Sequence, residues 1–175
     1  MNSVELIQYS LGFAFDNLEQ LVSGLTQEQA DWQPPGKVNP IGALYWHIIG
    51  YVDEIMHDWG MGQTSLKQSA GWKEKVVLTS PPVDPEDPMG DLRAVREGLR
   101  VDLLVLHDYA LATSQAVQEW VATLTPEDLE RPIDTPIGEL KMGQMLEAFI
   151  IWHINVHCGE ISALKGYQGL KGYIW

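Results

Sequence analysis

Residues 143–165 read GQMLEAFIIWHINVHCGEISALK, and the spacing of their apolar and histidine residues decides the fold class. Leu146, Phe149, His153, His157 and Leu164 recur at helical intervals. At about 100° of rotation per residue, Gln144, Asn155, Ser162 and Lys165 share one side of the helix and His153 and His157 the other. The motif His153-Ile-Asn-Val-His157 puts two imidazoles one turn apart on one face, the spacing that lets both reach a single ion. Glu160 falls on the same side, where an ionised carboxylate is costly unless a cation sits near it. Gly166 supplies a C-terminal stop. The competing reading of the pair is two hydrogen-bonded core histidines.

Three further helical patterns stand upstream. The first starts at Ser3 as N-cap and carries Ile7, Leu11, Ala14, Leu18, Leu21 and Leu25 at steps of four and three. The second opens at Asn39-Pro40, with Asn as cap and proline in the first turn, and ends near Gly60. The third spans Asp91 to Leu124, with Leu92, Val95, Leu99, Leu103, Leu106, Ala110, Val117 and Val121 on its stripe. Short helical turns are expected after Thr26 and Thr125, each hydroxyl standing where an N-cap belongs. No stretch keeps a strand alternation. Between Gly60 and Asp91 runs a long connector holding Pro81, Pro82, Pro85 and Pro88. An extended chain covers about 3.3 Å per residue, so such a connector can return along a whole bundle. The expectation is an all-α four-helix bundle with a long crossover between helices 2 and 3, the competing reading of the connector being a surface loop.

At 175 residues the chain fits one domain, residues 1–175. Eleven Lys and Arg against 24 Asp and Glu leave a net charge of −13, which repels phosphate backbones and anionic lipid surfaces and excludes nucleic acid as an expected partner. No apolar run approaches the roughly 18 residues of a membrane span. The opening MNSVELIQYS lacks a secretory pattern, and the lone Cys158 fits a reducing compartment. A cytoplasmic protein without membrane contact is expected.

The remaining histidines divide by helical position. His47 lies at the edge of the second apolar stripe, on a seam with Leu44, Tyr51, Glu54 and Asp58 where a polar group can line a cavity. His57 projects away from that stripe and is expected at the surface, and His107 beside Asp108 is expected to be solvated. The tail Tyr173-Ile174-Trp175 is apolar enough to dock on the bundle or on a partner.

The segments NPIGALYWHIIGYVDEIMHDW (39–59) and TPIGELKMGQMLEAFIIWHINVHCGEISALKGYQGL (135–170) resemble the DinB-like (YfiT-like) family of metalloenzymes. The resemblance covers nearly the whole chain. It implies an up-down-down-up bundle, a homodimer, and a metal site in which one histidine of the second helix joins a pair on the fourth: here His47, with His153 and His157. Where many relatives carry Gln, this chain has Glu160, which can add charge near the ion, orient a histidine or titrate in catalysis.

Three neutral imidazoles leave an open coordination position, suited to zinc or nickel first and to iron or manganese next. The resemblance further implies a transferase or isomerase that uses a low-molecular-weight thiol of the mycothiol or bacillithiol kind on a small-molecule substrate. Glu160 and Glu54 are the candidate proton acceptors. Metal-dependent hydrolysis of an ester or amide is the alternative from the same site. A nonenzymatic small-molecule-binding or stress-related bundle is the alternative from another class.

Overall fold

The computed structural model describes residues 1–36, 38–80, 98–135 and 137–172, and the chain is mostly helical. Helix α1 (Ser3–Val22) opens on a capping box: Asn2 Oδ1 accepts from the Glu5 amide at 2.9 Å, and the Asn2 amide donates to Glu5 Oε2 at 2.8 Å. The cap is thus Asn2, one residue before the expected Ser3. Helix α2 (Gln27–Asp31) is capped by Thr26, as expected.

Helix α3 (Ile41–Ile55) has no side-chain cap; Asn39, the expected cap, is buried and its Oδ1 has no partner. Pro40 takes the cap position, so Asn39 sits one residue too early to reach the first free amides. The helix runs directly into a π-helical turn, Met56–Met61, that ends at Gly62 in the left-handed conformation. There follow α4 (Leu66–Ser69), α5 (Trp72–Val76) and strand β1 (Val77–Thr79), which pairs antiparallel with β2 (Arg100–Val101).

Helix α6 (Leu103–Val121) begins where Asp102 Oδ1 accepts from the amides of Leu104 and Val105 at 3.0 and 3.1 Å. Leu99, assigned to the third helix by periodicity, precedes this cap, and Val101, within the expected span of that helix, is in a strand. The proline-rich run and residues 91–97 of the expected third helix lie outside the described residues.

Helix α7 (Pro126–Leu129) is capped by Thr125, as expected. A hairpin not anticipated from the sequence joins β3 (Pro132–Thr135) to β4 (Gly138–Lys141), with Thr135 opposite Gly138. Four-residue strands are too short to show an alternation. The last long helix is assembled from α8 (Met142–Met145), a second π-turn (Leu146–Ile151) and α9 (Trp152–Tyr167).

The four long helices neighbour one another in a closed order: α1 touches α9 and α6, and α3 touches the same two. Leu11 and Leu18 of α1, Ile48 and Val52 of α3, Leu106 and Val117 of α6 and Ile154 and Ile161 of α9 fill the core between them, each at most 2% exposed. Truncating such a side chain to Ala costs about 2–5 kcal/mol. Close approach fixes the helix ends. A Cβ at Gly60 would stand 2.9 Å from the Trp120 ring, and the Lys165 ammonium donates to the Leu21 carbonyl at 2.6 Å. Among the described residues, no helix is long and apolar enough to cross a membrane. Gly172 is buried, and a Cβ there would collide with the Ser162 carbonyl oxygen. The expected docking of Tyr173, Ile174 and Trp175 lies outside the described residues.

One buried carboxylate ties the peripheral helices to this core. Asp53 is fully buried and accepts from the amides of Leu66 (2.9 Å) and Lys67 (2.7 Å) and from the Tyr109 hydroxyl (2.6 Å), with His57 Nδ1 at 2.8 Å. It holds the start of α4 against α3 and α6, and its multiple donors offset the cost of burying charge. Replacing Asp53 by Ala strands these donors, and urea denaturation is expected to show a loss on the order of 3 kcal/mol. A loss under 1 kcal/mol would mean that the network adds little.

Candidate metal centre

Helix α3 delivers His47 and α9 delivers His153 and His157 to one place between the two helices. Their ring centroids lie 5.0, 5.0 and 4.5 Å apart, and one ligating nitrogen from each comes within 4.8 Å of the others. All three rings are partly buried. The i, i+4 spacing on α9 stacks its pair on one face, as the sequence requires. The π-turn immediately before Trp152 adds a residue to the helical turn and so sets the phase at which the pair meets α3.

Burial keeps two of these imidazoles uncharged. It lowers His47 from 6.5 to about 4, with a further lowering from His157. His153 is lowered to about 3 by burial first, then by His157 and His47. Neutral imidazole is the ligating form. The Nε2 atom of His153 is buried with no hydrogen-bond partner, an uncompensated cost that a cation at the cluster removes. The donor set therefore fits a divalent ion: among the described residues it offers three nitrogens of the borderline class that zinc and nickel accept.

Two neighbours set the rings. Glu160 Oε2 lies 2.7 Å from His157 Nδ1, which leaves Nε2 of that ring for the cluster. The carboxylate–imidazole pair is the arrangement that fixes tautomer and raises ligand basicity. The expected burial of Glu160 is corrected, because half of its side chain is exposed and solvent bears part of its charge. Tyr51, one turn after His47, stacks on His153 at 4.0 Å and 19° between ring planes. Burial raises the Tyr51 phenol above its usual range.

Glu54 is held elsewhere. It pairs with Lys67 at 2.6 Å, and Lys67 lies over the Trp46 ring at 5.6 Å. His57, expected at the surface, is 3% exposed and bonded to Asp53. It shares a face with Asp53 one turn earlier, and α4 and α6 both bond to Asp53 on that face. His107, expected in solvent, is half-buried with Nδ1 3.2 Å from the Tyr45 hydroxyl; burial lowers its pKa. Cys158 points into the core rather than the cluster, and burial pushes its thiol up to about 12. Sequence reading missed Asp53 and Tyr109, whose partner is 56 residues away and leaves no local pattern.

A mostly helical protein with three histidines converging from two helices is the class that fold and site define. The model of the DinB superfamily matches residues 11–161, and the chain belongs to that superfamily. A conserved protein from Enterococcus faecalis has a similar structure, with a TM-score of 0.70 at 19% identity over 94% of this chain and 96% of the other. That likeness speaks for the fold alone. No curated protein sequence matches the chain.

The lowered histidine values give a pH dependence. Between pH 6.5 and about 4 the unfolded chain takes up protons that folded His47 and His153 refuse. Their neutrality therefore costs nothing above 6.5, and stability is lost as pH falls toward the folded values. In chelator-treated protein, the stability difference between the parent and His47→Gln is expected to shift against the parent as pH falls from 6.5 to 4. Denaturant titrations that show a pH-independent difference would contradict burial as the cause.

Proposed function

We propose that His47, His153 and His157 hold one divalent metal ion with an open coordination position, and that the protein is a metal-dependent transferase acting on a low-molecular-weight thiol and a small electrophile. The observation that carries the reading is the convergence of three imidazoles with His153 Nε2 lacking any partner. Zinc and nickel suit the donor set best, with iron and manganese next. An ion held there supplies Lewis acidity, lowering the pKa of a thiol bound at the open position.

The chain's own residues do the rest. Glu160 holds the proton of His157 Nδ1 and so aims Nε2 inward; it stands behind the ring, which makes it a positioning residue. Glu54 is committed to Lys67, so the S–H proton passes to solvent. The thiol sulfur attacks an electrophilic carbon, a C–S bond forms, and the leaving group departs with its electron pair. Tyr51 covers His153 and limits water on that side.

The proposal extends to the frame: one domain with an up-down-down-up course, working as a homodimer. The course is supported by residue pairings. Tyr45 meets His107 and Gly60 meets Trp120, so α3 and α6 run the same way. Gly12 of α1 approaches Gln118 of α6 while Leu18 and Glu19 line a cleft with Leu104 and His107, so α1 opposes α6.

Elemental analysis of untagged, chelator-free protein beside His153→Ala is the test, followed by turnover of 1-chloro-2,4-dinitrobenzene with and without added thiol. The expected result is near one metal per chain in the parent, little in the variant, and thiol-dependent product only with metal. Ester hydrolysis without thiol dependence would favour the hydrolase. No metal in either protein after reconstitution would overturn the proposal.

A further inference from the structure

Beside the histidine cluster lies a cleft of about 540 Å³ lined by Tyr51, Glu147, Ala148, Phe149, Trp152 and His153. Rings dominate its walls. Tyr51 and His153 stack face to face at 4.0 Å, so each covers one face of the other and the pair offers only its outer faces and edges to the cleft, and Phe149 is braced edge-on by Trp59 at 5.6 Å. Trp152 leaves 62% of its surface in solvent. An indole so exposed beside a cleft is apolar area available for a ligand. The π-turn Leu146–Ile151 carries Glu147, Ala148 and Phe149 to this wall, and such turns recur where a helix must re-aim side chains at a site.

Charge narrows the occupant. Among the lining residues only Glu147 is acidic and none is Lys or Arg, and Glu147 stands exposed in a chain of net charge −13. In the metal-free protein a negatively charged ligand is repelled and a neutral one is not, whereas a divalent ion at the cluster would offset that repulsion.

We propose that this cleft binds a flat aromatic ring bearing no negative charge, seating the aromatic part of the electrophile against the Tyr51–His153 pair and Trp152. The inference deepens the transferase reading by naming the class of its acceptor substrate, and it rests on that reading for its catalytic meaning. Stacked and edge-on ring contacts add to simple area burial, so an aromatic ring is preferred to a saturated ring of the same outline. The preference places the reacting carbon of an aryl or arylmethyl electrophile next to the three imidazoles.

The test is equilibrium binding, by calorimetry, of 2-naphthylmethanol, its decahydro counterpart and 2-naphthoate to the purified protein and to chelator-treated protein. Trp152→Ala and Trp152→Phe are compared with the parent after circular dichroism has shown them folded; Trp152 is exposed, so neither change disturbs the core. The aromatic alcohol is expected to bind, with the saturated alcohol weaker by about fivefold or more and, in chelator-treated protein, the carboxylate weaker as well. Trp152→Ala is expected to lose about fivefold in affinity and Trp152→Phe to keep most of it. Absence of binding to the parent, equal binding of the saturated alcohol, or unchanged affinity in Trp152→Ala would overturn the proposal. Because binding is also read without metal, its outcome stands apart from that of the metal analysis.

Discussion

Burial of three imidazole rings against one another is the constraint on which the site depends. Burial disfavours a proton on His47 and His153, and the neighbouring rings add to the effect. His47 and His153 are held far below the ordinary histidine value for these reasons. A part-buried group of imidazole nitrogens with an unpartnered Nε2 is costly to leave alone and well suited to a cation. The ring spacing is in turn a product of helix packing, because His47 arrives from α3 and the other two from α9.

Helix α3 serves two polar centres. His47 and Tyr51 face α9 and meet His153, whereas Asp53, Glu54 and His57 meet α4 and α6. The second centre is closed: Asp53 is fully buried with donors on both oxygens, and Glu54 is neutralised by Lys67. The first is partly open, with exposed Trp152 and half-exposed Glu160 at its margin. Satisfied, buried polar groups rigidify a core; incompletely satisfied ones at an opening are where ligands bind. The frame that holds α3 is therefore separate from the groups that it presents.

Much of this was legible in the sequence because it depends on local periodicity. The i, i+4 histidine pair, the heptad-like seam of α1 and the Thr26 and Thr125 caps are set by residues a few positions apart. His47 was ambiguous on periodicity alone, since a residue at the edge of a stripe faces a cavity or solvent depending on what packs beside it. The failures share a cause. His57 was misplaced because the ideal wheel counts only the apolar stripe of its own helix, whereas α4 and α6 meet the face that it shares with Asp53. Glu160 was placed inside by the same ideal wheel, while its side chain reaches outward to the far nitrogen of His157. Asp53 gathers donors from residues 13, 14 and 56 positions away, a convergence that only the folded chain creates.

The most direct test is X-ray absorption at the edge of the metal carried by the purified protein. The account predicts three imidazole nitrogens at about 2.0–2.1 Å with an added light scatterer at the open position, and loss of one imidazole or of the metal in His47→Ala. A sulfur scatterer in thiol-free protein, or four protein ligands closing the shell, would contradict it.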